Sequence, residues 1–483
     1  MPIADDGKDK SNRESHNDKA DKKSHKGKHK GHEKDHTRKE DKKVASGKEY
    51  ENQAPKGADT KESGHPGGPA TCAEHGVWTD VTRVRRPQTN QQPLQFSSID
   101  PEENRHVLSS SKMSFAMVGC SGDPTTRANT KAVAKAITAD KDLSFFYHLG
   151  DIIYTLSGSD TEGVVPVVPY SPSLWDTQFF GPYRKFKKKI FAIAGNHDGK
   201  YKEKIKALSD YFRFFCAGTV KRPTGAKHRR RMAQPYIYWR MDTPYACIIG
   251  LYSNIANGGI LDNPTRYTTS NFTDGPQYKW LVEQLQAVAA MNKTAGTRRK
   301  AVLLMVHYPP YSGATNFNVR GDTSKGGPVA KGKRSAQPNN YDVPCLAVAL
   351  QQAFKDSGQR PDVIFSAHAH LFERLNYKFA DGSVMPCLIT GCGGHSPLEN
   401  LFDTCDGTMQ KARRPPFDAV KPGSFQFPKG DRARVKCYED GENGGHFGYL
   451  KVTIDDEERS LTCEFMGVKH GKAKSLDRHT ISI

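Results

Sequence analysis

From Trp78 onward, short apolar runs alternate with longer amphipathic stretches, and these two periods mark strands and helices. Ser114 to Gly119 is an apolar run that stops at glycine, and Ala128 to Ala139 follows with Ala, Val and Ile on one helical face. Leu143 to Leu149 and Lys189 to Ala194 read as buried strands, separated by an aromatic, irregular stretch from Ser171 to Phe186. Tyr236 to Met241 and Tyr245 to Tyr252 predict a pair of strands, Gln277 to Met291 a helix, and Ala301 to Val306 a buried strand. A helix at Pro344 to Lys355 leads into the strand Asp362 to Ser366, and Met385 to Thr390, Phe447 to Ile454 and Leu461 to Met466 are strand-like. Alternating elements with β-rich additions give an α/β class in which two sheets pack together with helices outside. No internal repeat is visible, which argues against a solenoid or a propeller.

Composition divides the chain. Residues 1–75 hold almost no large apolar side chains and run through Lys, His, Asp, Glu, Gly and Ser, as from Lys22 to Lys43. A segment that can bury so little cannot offset its ordering entropy and is expected to be disordered. The expected organisation is a disordered Lys/His-rich tail at 1–75, a linker and entry strand at 76–112, a folded domain at 113–470 and a C-terminal tail at 471–483. Basic, Gly- and Pro-rich stretches at 312–343 and 402–445 read as long surface loops. The net charge of +19 is spread over the tail and several later clusters, and no nucleic-acid-binding motif accompanies it. Weak contact of the tail with a polyanion is the one macromolecular partner this charge suggests. No apolar leader and no apolar stretch of about 18 residues is present, so no transmembrane segment and a cytoplasmic location are expected. Ten cysteines lack the dense spacing of a disulfide framework, and no CxxC pair marks a structural zinc site.

Candidate chemistry sits at five strand ends: Gly119-Cys120-Ser121-Gly122, Gly150-Asp151-Ile152-Ile153-Tyr154, Gly195-Asn196-His197-Asp198, Val306-His307-Tyr308, and Ala367-His368-Ala369-His370. Side chains just beyond the carboxyl ends of strands in an α/β sheet converge on one crevice, so residues far apart in sequence can share a site. Each motif alone could be a capped turn. Together their carboxylate, amide and imidazole donors are what a pair of borderline or hard cations requires.

This ordered set resembles the calcineurin-like metallophosphoesterases, whose pattern runs GDxG or DxH, GDxx, GNH[DE], a lone His and GHxH, over about residues 113 to 378. Tyr154, three residues after Asp151, resembles the purple acid phosphatase branch, where that Tyr is a metal-ligating phenolate. The resemblance implies the metallophosphatase fold, a four-layer αββα sandwich of two mixed β-sheets flanked by helices. It also implies two divalent or trivalent metal ions (Zn, Mn or Fe) and a phosphorylated small-molecule substrate, cleaved by direct attack of a metal-bridging hydroxide on phosphorus. By motif, Asp151 would bridge the metals. Asn196, His307 and His368 would hold one, Tyr154 and His370 the other. His197 would assist the leaving oxygen, oriented by Asp198. An acid phosphatase-like monoesterase is the leading expectation. A phosphodiesterase acting on nucleotides or lipid headgroups is one alternative, and a catalytically impaired phosphate- or polyanion-binding protein another.

Three departures bear on this. Cys120 stands where the family has Asp: a thiolate keeps the negative charge and suits zinc rather than ferric iron, or Asp123 reaches back, or the site is degraded. The loop after His307 lacks the family's further His and offers Asn316 and Arg320 as substrate-binding residues instead. Ala367 replaces the usual Gly before His368. Gly391-Cys392-Gly393-Gly394-His395 is a weaker candidate, a Gly-rich turn able to approach an anion.

Overall fold

The computed structural model describes residues 92–125, 127–155, 169–199, 205–216, 234–253, 275–310, 342–379, 381–398 and 446–483. The chain divides into two units, Met1–Pro66 and Gly67–Ile483, and every described residue lies in the second. The N-terminal tail, both long basic stretches' central portions, and Asn316 and Arg320 fall outside the described residues.

Two mixed sheets form the centre. The first contains β1 (Leu94–Gln95), β5 (Trp239–Asp242), β6 (Ala246–Gly250), β7 (Ala301–Met305), β8 (Val363–Ser366), β10 (Val384–Thr390) and β9 (Phe372–Lys378), in that spatial order. The second runs β13 (Lys472–Ser482), β12 (Ser460–Lys469), β11 (Gly448–Asp455), β2 (Lys112–Val118), β3 (Leu143–His148), β4 (Lys189–Ala192). Strands β2, β3 and β4 are mutually parallel, as are β6, β7, β8 and β10. These strands are the continuous apolar runs of the sequence because both their faces are covered.

The facing surfaces of the sheets bury one core, with Phe115, Phe145, Tyr147 and Phe191 from the second sheet meeting Trp239, Leu303, Met305 and Phe365 from the first. On the outer face of the first sheet lie α7 (Pro276–Ala295) and α8 (Asp342–Ser357), through Leu281, Leu285, Val288, Leu346 and Leu350. The outer face of the second carries α3 (Ala128–Ala139) and α6 (Ile205–Phe215), through Val133, Ile137, Tyr211 and Phe215. The expected αββα layering is thus the observed one. Among the described residues no helix is long and apolar enough to cross a membrane.

Several elements differ from expectation. The stretch read as a linker contains α1 (Phe96–Ile99) and α2 (Pro101–Ser110), the latter capped by the Asp100 carboxylate accepting from Glu103 N–H. The irregular aromatic stretch holds one short turn, α4 (Ser173–Trp175), continued as a π-helix over Asp176–Phe180 that buries Phe179 and Phe180. Residues 471–483 are not a tail: β13 pairs antiparallel with β12 along its length. Its Asp477 accepts from Arg374 of β9 at 2.9 Å, a buried ion pair that joins the two sheets at their edges. Neither strand shows as an apolar run in the sequence, because β13 is largely polar and solvent-facing and β9 carries the buried charged residues Glu373 and Arg374.

Candidate metal centre

The carboxyl ends of β2, β3 and β4 meet those of β7, β8 and β10, and backbone hydrogen bonds weld the six ends into one floor. Gly119 N–H donates to Thr390 O, Cys120 N–H to Gly150 O, Gly393 N–H to Gly119 O, and Ala367 N–H to His307 O, all at 2.9–3.1 Å. Gly150 has φ +93°, and a Cβ there would lie 2.5 Å from Gly195 N, so only glycine lets the β3 and β4 loops touch. Three non-glycine residues of the predicted site, Cys120, Asp151 and His368, also hold positive φ, at 50°, 55° and 65°. Such conformations persist only where surrounding structure over-determines them.

Asp151 is at the centre and is buried. One carboxylate oxygen, Oδ1, accepts from His197 N–H at 2.7 Å; the other, Oδ2, accepts from the Tyr154 hydroxyl at 2.9 Å and lies 3.3 Å from His307 Nε2. His307 Nδ1 is 2.8 Å from the Leu149 carbonyl, so that nitrogen carries the proton and donates. With one proton so placed, Nε2 presents a lone pair toward Asn196 Oδ1 at 3.1 Å as well as toward Asp151. Donor atoms of Asp151, His307 and His368 all lie within 4.8 Å of one another. At the same Oδ2, the Tyr154 hydroxyl also stands 3.1 Å from His370 Nε2 and neighbours the Cys120 thiol. Asp123 does not take Cys120's place through its Oδ1, which accepts from Thr125 N–H and hydroxyl.

Acceptors converging on a buried point repel unless something positive sits among them. The titration behaviour follows that logic. Burial pushes the Asp151 carboxyl upward, but the imidazoles of His307, His197 and His368 override it and hold the group well below the carboxylate range. Burial lowers His307, and the Asp151 charge overrides it to raise the imidazole above its ordinary value. Burial and then the neighbouring His395 lower His370 to about 3, leaving it a neutral ligand type. Burial and then the Asp151 charge raise Tyr154, so its phenol keeps its proton without a cation nearby. A cluster that attracts positive charge and supplies carboxylate, amide oxygen and neutral imidazole fits divalent metal binding.

The Asp198 carboxylate accepts from Gly195 N–H at 2.9 Å, Ile152 N–H at 3.0 Å and Ile153 N–H at 3.3 Å, stitching the β4 loop to the β3 loop. Burial and the Asp151 charge push it up to about 7 against the pull of those amides. His197 is partly exposed and packs its ring 4.2 Å from that of Tyr154. Three further residues belong to the site: His148 and Ser253, which motif reading missed, and His395, its weaker candidate. His148 Nδ1 accepts from Gly150 N–H while Nε2 meets Ser121 Oγ at 2.7 Å, fixing the turn that presents Asp151. Ser253 Oγ accepts from His307 N–H and Tyr308 N–H. His395 stacks on Tyr154 with ring centroids 3.6 Å apart and bonds the Gly122 carbonyl.

Fold and site together define a metal-binding αββα sandwich with its donors gathered at the mouth of two sheets. The model of the calcineurin-like phosphoesterase family matches residues 113–372, more than half of the chain, and the protein belongs to that family. Membership makes it a metal-dependent phosphoester hydrolase in general class and implies divalent metal ions. No curated protein matches by sequence. Among solved structures, GAP50, the anchor in the inner membrane complex of Plasmodium, is similar at 12% identity over 77% of this chain and 89% of its own, with TM-score 0.44. PhoD is similar at 12% identity over 76% and 69%, with TM-score 0.41. A dimetal phosphatase from Danio rerio is similar at 9% identity over 77% and 98%, with TM-score 0.35. Likeness at this level says nothing of activity.

Proposed function

We propose that the protein is a dinuclear phosphomonoesterase of the purple acid phosphatase type. The observation that supports this reading is that Asp151 meets two donor groups, His307 with Asn196 and His368, and Tyr154 with His370. Asp151, whose Oδ2 faces both His307 and Tyr154, would be shared by the two ions. When bound, two divalent ions would acidify a water between them and clamp the attacking and leaving oxygens at phosphorus. Cys120 would complete the Tyr154 side as a thiolate, which favours zinc over iron. Tyr154, stacked under His395, would fix the position of that side. The partly exposed His197 would hold a proton near the leaving oxygen, while its backbone N–H keeps Asp151 Oδ1 in register. Asp198 and His148 would position the turns rather than touch substrate. Asn316 and Arg320 remain proposed substrate contacts.

The test is turnover of p-nitrophenyl phosphate and of its bis-ester by protein reloaded with zinc, manganese or iron, alongside metal content. Monoester turnover with two ions per chain is expected. Preference for the bis-ester would make the protein a diesterase. Phosphate binding without turnover, with one ion per chain, would overturn hydrolysis and leave a binding protein in which Cys120 has disabled one side.

A further inference from the structure

A surface groove of about 710 Å³ runs along the outer edge of α3, away from the metal centre. Arg127, Lys131, Lys135, Lys141, Arg184 and Lys185 line it, against the single carboxylate of Asp176. The α3 helix explains the arrangement. Thr130, Val133, Ala134 and Ile137 face the sheet, so Lys131 and Lys135, one turn apart, are turned outward. At 1.5 Å rise per residue, the line from Arg127 to Lys135 spans about 12 Å. Lys141 extends it past the helix end, and Arg184 and Lys185 supply the opposite wall from just beyond the π-helix.

Ordinary surface lysines are balanced by neighbouring acids, and these are not. The nearby carboxylates of Asp140 and Asp142 are both taken by Lys451. Among the described residues none of the six groove cations has an ion-pair partner. Arg127 adds a second, independent sign. It holds φ +54°, and its Nε is buried with no hydrogen-bond partner among the described residues. A buried guanidinium N–H left without an acceptor is costly and calls for a ligand that supplies one.

We propose that this groove binds a linear chain of phosphates, an inorganic polyphosphate-type polyanion. A single orthophosphate would engage only two of six cations spread over this length. A nucleic-acid strand would expose bases that need stacking partners, and no aromatic side chain lines the groove among the described residues. The proposal is one of binding and stands whether or not the chain hydrolyses what it binds.

The experiment is a titration of the full chain with linear polyphosphate of about 15 phosphates and, separately, with an oligothymidylate of matched charge, each at several salt concentrations. Full-length Lys131→Glu/Arg184→Glu is compared with wild type and with Lys279→Glu/Lys293→Glu, a charge-matched control on exposed positions of α7. The groove variant should bind polyphosphate about tenfold or more weakly, and its salt slope should fall by about 1.4 for two lost contacts, while the control retains wild-type values. Equal weakening in both variants would overturn the proposal, because the affinity would then reside in general charge or in the basic N-terminal segment. Oligothymidylate binding as tightly as polyphosphate, with the same loss in the groove variant, would also overturn it in favour of a nucleic-acid strand. A melting midpoint within about 2 °C of wild type shows that the variant is folded. If it is not, Lys131→Gln/Arg184→Gln is read by the same two criteria.

Discussion

Substituting Asp198 by Asn separates two roles that the Gly-Asn-His-Asp turn could give this residue. The carboxylate holds Gly195, Ile152 and Ile153 N–H groups with both oxygens, all of it buried. An amide of the same shape keeps one acceptor oxygen and places an NH₂ where the other oxygen had been, so at least one backbone N–H meets another donor. Loss of a charge-assisted bond and the stranding of a buried donor together cost about 3 kcal/mol. For a domain of this size that lowers the melting midpoint by about 3–6 °C. The Gly195 and Asp151 loops would loosen against each other, so kcat falls while the acid and alkaline limbs of the pH-rate profile keep their positions. Were Asp198 instead the partner that steers His197, stability would be unchanged and the limb belonging to His197 would move. Thermal melts and a pH profile on the metal-loaded variant therefore decide the matter. A displaced limb with an unchanged midpoint would refute the stitching role.

Replacing Asp477 by Ala leaves the Arg374 guanidinium buried and unpaired, and a loss of about 3–5 kcal/mol in stability is expected by thermal or urea unfolding, with the metal centre's affinity unaltered. Cys120→Asp should shift metal preference from zinc toward manganese and iron, and cobalt-loaded protein should lose its sulfur-to-cobalt absorption band; an identical spectrum in both proteins removes Cys120 from the ligand set. His148→Phe takes away the acceptor for Gly150 N–H and should weaken metal affinity or turnover by roughly 10–100-fold, measured by metal titration and steady-state kinetics, whereas wild-type values would show that the Gly150 turn holds without it.

What could be read in the sequence follows from what the chemistry fixes. Asp151, Asn196, His307, His368 and His370 were legible because no other residue types offer those donors at those strand ends, and the apolar runs leading to them are buried on both faces. Roles within the turns were less so. The sequence placed Asp198 next to His197, but only the approach of the β3 loop shows that its carboxylate faces Ile152 and Ile153. His395 read as the end of a tight Gly-rich turn, since nothing local reveals that β10 ends beside β2 and delivers its ring onto Tyr154. Strands β9 and β13 were hidden for a different reason: Arg374 and Asp477 neutralise each other across the sheets, so polarity that reads as surface is in fact buried.

The same convergence of lone pairs that marks the centre makes its stability depend on pH in a direction set by whether metal is present. In protein stripped by a chelator, the raised His307 lets the native state hold a proton that the unfolded chain has already released. Stabilisation from a raised group is fully present below its unfolded value, near 6.5 for this imidazole, and is lost as pH rises through the folded one. Asp198, raised to about 7 by burial and the Asp151 charge, acts with the same sign and loses its contribution as pH rises through that value. His148 and His370, lowered to about 3 by burial, act with the opposite sign below about 6.5, so the His307 contribution is read as a difference: from pH 6 to pH 8 stripped wild type should lose more stability than stripped His307→Gln, by up to about 1.4 kcal/mol per pH unit. A metal ion requires His307 deprotonated, so protons compete with it, and the stabilisation gained on reloading should grow over the same interval. Equal changes in wild type and His307→Gln between pH 6 and pH 8 would mean that His307 carries no extra proton in the native state, and that Asp151, Asn196 and His307 do not form a centre of attraction for positive charge.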